Sequence, residues 1–155
     1  MGGNRGYFEI AESEYKYLEK DYTENRVSNI FAYLAQGVCE KYLKGIIVYT
    51  NNEDICNGEM RTHSLRKLCQ FIMKHIPDFI FDYRTILLAD GFYFSARYPG
   101  DDSVIVEKEE FEQCWEAVTE VRNSVNAFMK NQKQCNNKTN ALEEISKMVG
   151  DCKRV

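Results

Sequence analysis

The chain has little of what interrupts regular structure. It carries two prolines and nine glycines in 155 residues. Proline removes a backbone donor and glycine weakens an element's interior, so both gather in turns and caps. Their scarcity argues against a turn-dense fold and for long regular elements with few connections. No apolar run approaches the ~20 residues that a membrane-spanning helix needs. The six cysteines, at 39, 56, 69, 114, 135 and 152, form no C-x-x-C pair, which argues against a metal site or a disulfide framework. Cys39, Cys69 and Cys114 fall inside helical apolar patterns and read as small buried hydrophobes in a reducing compartment. No phosphate-cradling glycine loop is visible, because Gly2, Gly3 and Gly6 crowd the first residues and precede no strand. The opening segment also lacks the apolar stretch of a secretion signal, and Gly6 stands where a myristoylation site wants Ser or Thr. These absences lead to the expectation of a cytoplasmic protein with no membrane contact, no metal and no cofactor.

What is present suits a soluble helical domain. At 155 residues the chain is one domain's worth, large enough to bury roughly 70% of its unfolded surface without staples. The net charge of −4 weighs against broad nucleic-acid binding, which wants a basic surface, but leaves room for a local basic groove. Apolar residues recur every three or four positions in five stripes. The first is Phe8, Ala11, Tyr15, Leu18 and Tyr22; the second is Val27, Phe31, Leu34, Val38 and Tyr42, continued by Ile46 and Ile47. A short third is Leu65, Leu68, Phe71 and Ile72. The fourth runs from Phe79 to Phe94, and the fifth through Phe111, Cys114, Trp115, Val118, Val121, Val125 and Phe128. Each is the core-facing stripe of an amphipathic helix.

The breaks agree. Residues 50–58 form a polar loop, and Thr62 or Ser64 caps the third helix. Pro77 ends that helix, Asp78 caps a long fourth one, and Pro99-Gly100-Asp101-Asp102-Ser103 stops it. Val104-Ile105-Val106 reads as extended chain. The expected fold is all-α, an antiparallel up-down bundle of four to five helices occupying residues 1–130. Residues 131–155 are expected to be a polar linker, over 131–140, followed by a short helix from Ala141 to Cys152. The second and fifth stripes are long and aromatic, more than a lone bundle covers, so a helical homodimer is expected.

Several side chains invite a role. Gln36, Glu40 and Lys44 stand at i, i+4 and i+8 along one edge of the second helix; by spacing alone they are a solvated edge with one ion pair, worth ~0.3 kcal/mol. His63, at a helix start, is read as tying the loop to the bundle through a hydrogen bond, and His75 as a surface residue. Two roles are open to Arg97: capping carbonyls at a helix C-terminus, or contacting phosphate oxygens in bidentate fashion. Tyr98, held extended by Pro99, sets the direction of the exit loop. Asp90 falls on a core-facing line and needs a partner; Arg122 is the first candidate, with Arg84 or Lys44 behind it. Arg122 itself lies at the edge of the fifth stripe, where an unpaired guanidinium is costly.

Three words occur in order: Gln36-Gly37-Val38-Cys39-Glu40-Lys41-Tyr42-Leu43-Lys44, then His63-Ser64-Leu65, then Ala96-Arg97-Tyr98-Pro99. Over about residues 10–130 this pattern resembles the HEPN family, including domains similar to the substrate-binding domains of nucleotidyltransferases. The resemblance implies a helical bundle in which Gln36, Glu40, Lys41, Lys44, His63, Asp90, Tyr98 and Pro99 are structural markers. It also implies, for active HEPN ribonucleases, an arginine and a following histidine in an Arg-x4-6-His motif facing each other across a dimer cleft. The histidine moves a proton at the ribose 2′-hydroxyl and the arginine steadies phosphate charge. Here Arg122 is present, but positions 127–129 are Ala, Phe and Met. Asn126 is polar and cannot shuttle protons at neutral pH. No catalytic residue is therefore assigned. The expected function is a non-catalytic binding module with ligand-binding residues Arg122, Asn126 and Arg97, recognising a nucleotide or RNA or docking a partner nucleotidyltransferase. The alternative is a toxin-type HEPN ribonuclease with an atypical active site.

Overall fold

The computed structural model describes residues 3–151, and among them every regular element is helical. Close contacts divide the chain into two compact units, Met1–Val125 and Asn126–Val155.

The first unit is built on α1 (Gly3–Thr23) and α2 (Asn29–Tyr49). Asn25, in the left-handed region at φ 55°, reverses the chain between them; asparagine tolerates that region better than most residues. Ser28 caps α2, its hydroxyl accepting from the Phe31 N–H. Early α1 then meets late α2, so the two helices run antiparallel. The Lys41 ammonium donates to Glu14 at 2.9 Å and the Tyr42 hydroxyl to Glu12 at 2.6 Å. Gly45 makes room for the Phe8 ring, since a Cβ there would lie 2.6 Å from it.

α2 is the central helix, buried far beyond its apolar stripe; Gln36, Glu40 and Lys44 are buried along with Phe31, Val38, Cys39, Leu43, Ile46 and Ile47. The edge expected to be solvated is therefore covered. The cover comes from the loop before α3 (Leu65–His75) and from the stretch carrying α4 (Tyr83–Leu87) and α5 (Phe92–Ser95). Ser64 caps α3, accepting from the Lys67 N–H. The long fourth helix expected from Asp78 onward is instead two short pieces. Asp82, not Asp78, is the cap, with its carboxylate accepting from the N–H groups of Arg84 and Thr85. Gly91 at φ 94° separates the pieces, a backbone state that glycine reaches without steric cost. The stripe from Phe79 to Phe94 suits either geometry; α4 ends at Leu87, and the left-handed Gly91 is the N-cap of α5.

α6 (Lys108–Asp151) closes the bundle. Its first turns lie along α1 in the opposite direction, in an aromatic ladder. Trp115 stacks on Tyr22 at 4.6 Å and on Tyr15 at 5.5 Å, and Phe111 meets Tyr22 at 5.4 Å and Phe31 at 4.3 Å. Such pairs contribute ~0.5–1.5 kcal/mol beyond the area they bury. Much of the aromatic surface of α2 and early α6 is thus covered within the chain. Cys39, Cys69 and Cys114 are buried as free thiols.

The second unit is the remainder of α6. The segment expected to be a linker and a separate short helix continues α6 to Asp151; Cys152 lies outside the described residues. The reason is local. Residues 131–140 are polar, but none is glycine or proline. Each asparagine costs at most ~0.7 kcal/mol in a helix, and a helix already nucleated propagates through such residues.

Candidate functional site

The three sequence words, and Arg122 of α6, form three side-chain clusters. In the first, Gln36 is 1% exposed and bridges the loop before α3 and the start of α5. Its Nε2 donates to the His63 carbonyl at 2.5 Å, and its Oε1 accepts from the Tyr93 N–H at 2.5 Å. One turn on, Glu40 accepts from the Lys44 ammonium at 2.5 Å, with side chains 11% and 6% exposed. His63 Nδ1 lies 3.1 Å from the other Glu40 oxygen, and the His63 ring stacks on Tyr93 with centroids 3.7 Å apart and an 8° tilt. Asp90 does not meet Arg122, Arg84 or Lys44. Its carboxylate accepts from the Leu65 N–H at 2.8 Å, placing a negative charge at the N-terminus of α3, where the helix dipole favours it. Asp90 is also only half-buried, so it needs no cationic partner. Beside these groups is a recess of about 450 Å³ lined by Gln36, Thr62, His63, Lys67, Asp90 and Phe94.

The second cluster holds Arg122. Its Nε donates to Glu12 Oε2 at 3.0 Å and its Nη2 to Glu12 Oε1 at 2.7 Å, a bidentate fork of the strong, charge-assisted kind. The guanidinium carbon sits 4.1 Å over the Tyr15 ring, and the Tyr42 hydroxyl also donates to Glu12. The Arg122 hydrogen bonds, ahead of other influences, hold the Glu12 carboxyl below the usual carboxylate range. The same bonds raise Arg122. Burial, then the hydrogen bond to Glu12, raises the Tyr42 hydroxyl. Among the described residues neither histidine contacts this cluster; His63 is at Glu40 and His75 at Phe71. Asn126 is exposed and is the first residue of the second unit.

A pH dependence follows, and its sign is set by the direction of the Glu12 shift. A carboxyl depressed in the folded state contributes stability above its unfolded value, about 4.3, and that contribution is lost as pH falls through the lower folded value. The Glu12→Gln variant is expected to lose stability less steeply than wild type below about pH 4.3. Urea unfolding of the two proteins across that range checks it; parallel curves count against the pair.

The third cluster surrounds Arg97. The exposed guanidinium lies 4.8 Å from the Tyr33 ring, 5.6 Å from Tyr93 and 5.2 Å from Tyr98. It donates weakly to the Tyr93 hydroxyl at 3.4 Å. Among the described residues it caps no carbonyl. Tyr98 and Pro99 are exposed at the exit from α5.

Burial pushes the Cys69 and Cys114 thiols up to about 12 and raises Cys39 as well, so none is a nucleophile at neutral pH. Among the described residues no three His, Cys, Asp or Glu side chains are grouped to hold a metal ion, and no helix is long and apolar enough to cross a membrane. Sequence reasoning missed Glu12, Tyr33 and Tyr93. Nothing in the spacing links Glu12 to an arginine 110 residues away, and two tyrosines among the ten present carry no mark of their own.

The HEPN domain family model matches residues 5–130, and the chain belongs to that family. No curated protein and no solved structure matches it.

Proposed function

We propose that this HEPN domain is a non-catalytic binding module that acts by docking a protein partner, of which a nucleotidyltransferase is the kind the sequence pattern suggests. The observation that carries the reading is the state of Arg122. The arginine that would steady phosphate charge spends two donors on Glu12, and positions 127–129 hold no histidine. Proton transfer at a ribose hydroxyl has no group to perform it. A phosphate at Arg122 would have to compete with a carboxylate already held in bidentate geometry. Nucleotide or RNA recognition is the second reading. It is favoured by Arg97, whose guanidinium has no carboxylate among the described residues, and it would extend to Arg122 only if the Glu12 pair opened.

Mixed RNA oligonucleotides incubated with the protein are expected to give no product above a heat-inactivated control. Product that disappears in Arg122→Ala would sink the non-catalytic reading and restore the ribonuclease one. Titration of labelled nucleotide and short RNA separates the rest. Binding lost in Arg97→Ala or Arg122→Ala supports the second reading, and absence of binding in all three proteins supports docking.

A further inference from the structure

A second recess, of about 530 Å³, lies where the loop between α2 and α3 meets α3, and it shares Thr62 and Lys67 with the one beside Gln36. The volume suits a small ligand. Glu59 lines it from a short helical turn, Glu59–Arg61. The Glu59 carbonyl accepts from the Thr62 N–H at 3.2 Å, which holds the turn closed. Among the described residues, Glu59 Oε2 is the one buried side-chain oxygen or nitrogen without a hydrogen-bond partner. A buried acceptor in that state keeps its full desolvation cost, and a donor brought by a ligand would recover it. Lys67 and Lys74 line the same recess from α3. Seven residues apart in sequence, they stand two turns and about 10 Å from each other on one face of the helix. Both are exposed, and neither forms an ion pair with a described residue. Gln70 lies between them in the lining, with an amide that both donates and accepts.

We propose that this recess binds a small hydroxylated phosphate monoester, of the size of a sugar phosphate. The phosphate takes charge-assisted hydrogen bonds from the Lys67 and Lys74 ammonium groups, and one hydroxyl donates to Glu59 Oε2. Charge selects this class among small ligands. A bare anion would meet the Glu59 carboxylate, and a bare cation would meet two ammonium groups. An amino acid would set its own ammonium beside the same lysines. A hydroxyl supplies the donor without adding charge, and a phosphate monoester's charge of about −2 balances both lysines. The apolar side chains of the lining are Ile55 and Phe71, too few to hold an apolar ligand. The site is separate from Arg97 and Arg122 and does not depend on the docking reading.

Titrations of the full chain with glucose 6-phosphate, glucose and inorganic phosphate, followed by amide chemical shifts, test it. Glucose 6-phosphate is expected to bind with a dissociation constant below about 1 mM and to shift amides of the recess, with inorganic phosphate at least about tenfold weaker and glucose silent. The double variant Lys67→Ala/Lys74→Ala should weaken glucose 6-phosphate at least about tenfold. Glu59→Ala should weaken it by a similar factor and leave inorganic phosphate unchanged or tighter, because the variant removes the hydroxyl's acceptor and the repelling charge together. Glu59→Ala should also melt no lower than wild type, since it deletes an unpaired buried oxygen. A clear fall in melting temperature would give Oε2 a partner within the fold and overturn the premise of the site. Absence of glucose 6-phosphate binding at millimolar concentration, or binding that neither variant weakens, would overturn the site itself. Equal affinity for glucose 6-phosphate and inorganic phosphate would reduce it to a pair of surface lysines and overturn the hydroxyl contact.

Discussion

Replacing Glu40 with alanine is expected to destabilise the domain by about 3–5 kcal/mol, the usual cost of leaving one partner of a buried ion pair uncompensated. Lys44 is 5% exposed and its ammonium donates to Glu40 at 2.5 Å. Without the carboxylate, the ammonium must stay buried and unpaired, lose its proton, or drag α2 open. His63 would lose its bond to Glu40 at the same time, loosening the loop that covers α2. The expected loss is a large share of the 5–15 kcal/mol that a domain has. Urea unfolding measures it, and the double variant Glu40→Gln/Lys44→Met identifies the cause. Because a buried pair exchanged for neutral groups of similar volume is often near neutral, the double variant should recover most of the loss. A loss below about 1 kcal/mol in Glu40→Ala would place the pair in solvent, where such pairs have little effect.

Phe111→Ala is expected to cost a similar amount, about 3–5 kcal/mol, as for other buried aromatic truncations. Phe111 is fully buried and joins three helices, with Phe31 of α2 at 4.3 Å and Tyr22 of α1 at 5.4 Å. Alanine would leave a cavity between rings that cannot collapse without separating the helices. The consequence reaches the candidate site, because Phe111 seats the part of α6 that brings Arg122 to Glu12. Calorimetry should show a melting temperature lower by roughly 10 °C at this size. The near-ultraviolet dichroism of the Trp115–Tyr22 stack should weaken too. A variant that melts within a few degrees of wild type, with that signal intact, would mean that the ladder does not hold α6.

The outline of the fold was legible because helical periodicity is local. Ala11, Tyr15 and Leu18 announce the buried face of α1 at spacings of three and four, and Ser64 announces the start of α3. Breaks were harder to read. The stripe from Phe79 to Phe94 resembles one helix, yet Gly91 adopts a positive φ that no apolar count reveals. The polar residues after Met129 stay helical, because what interrupts a helix is a backbone conflict, and residues 131–140 contain neither glycine nor proline.

The sequence by itself determined the helical class, the HEPN pattern and the missing histidine after Arg122, since each depends on residue type and near spacing. Only the tertiary structure decided what the charged residues do. Gln36, Glu40 and Lys44 have the spacing of a solvated helix edge, and they became a buried polar network because loops distant in sequence lie over them. Asp90 looked like a partner for an arginine and instead took the N-terminus of α3. Arg122 found Glu12, across 110 residues. Ion pairs act over a few ångströms of space and leave no periodic trace along the chain, so their partners exist only once the helices have packed.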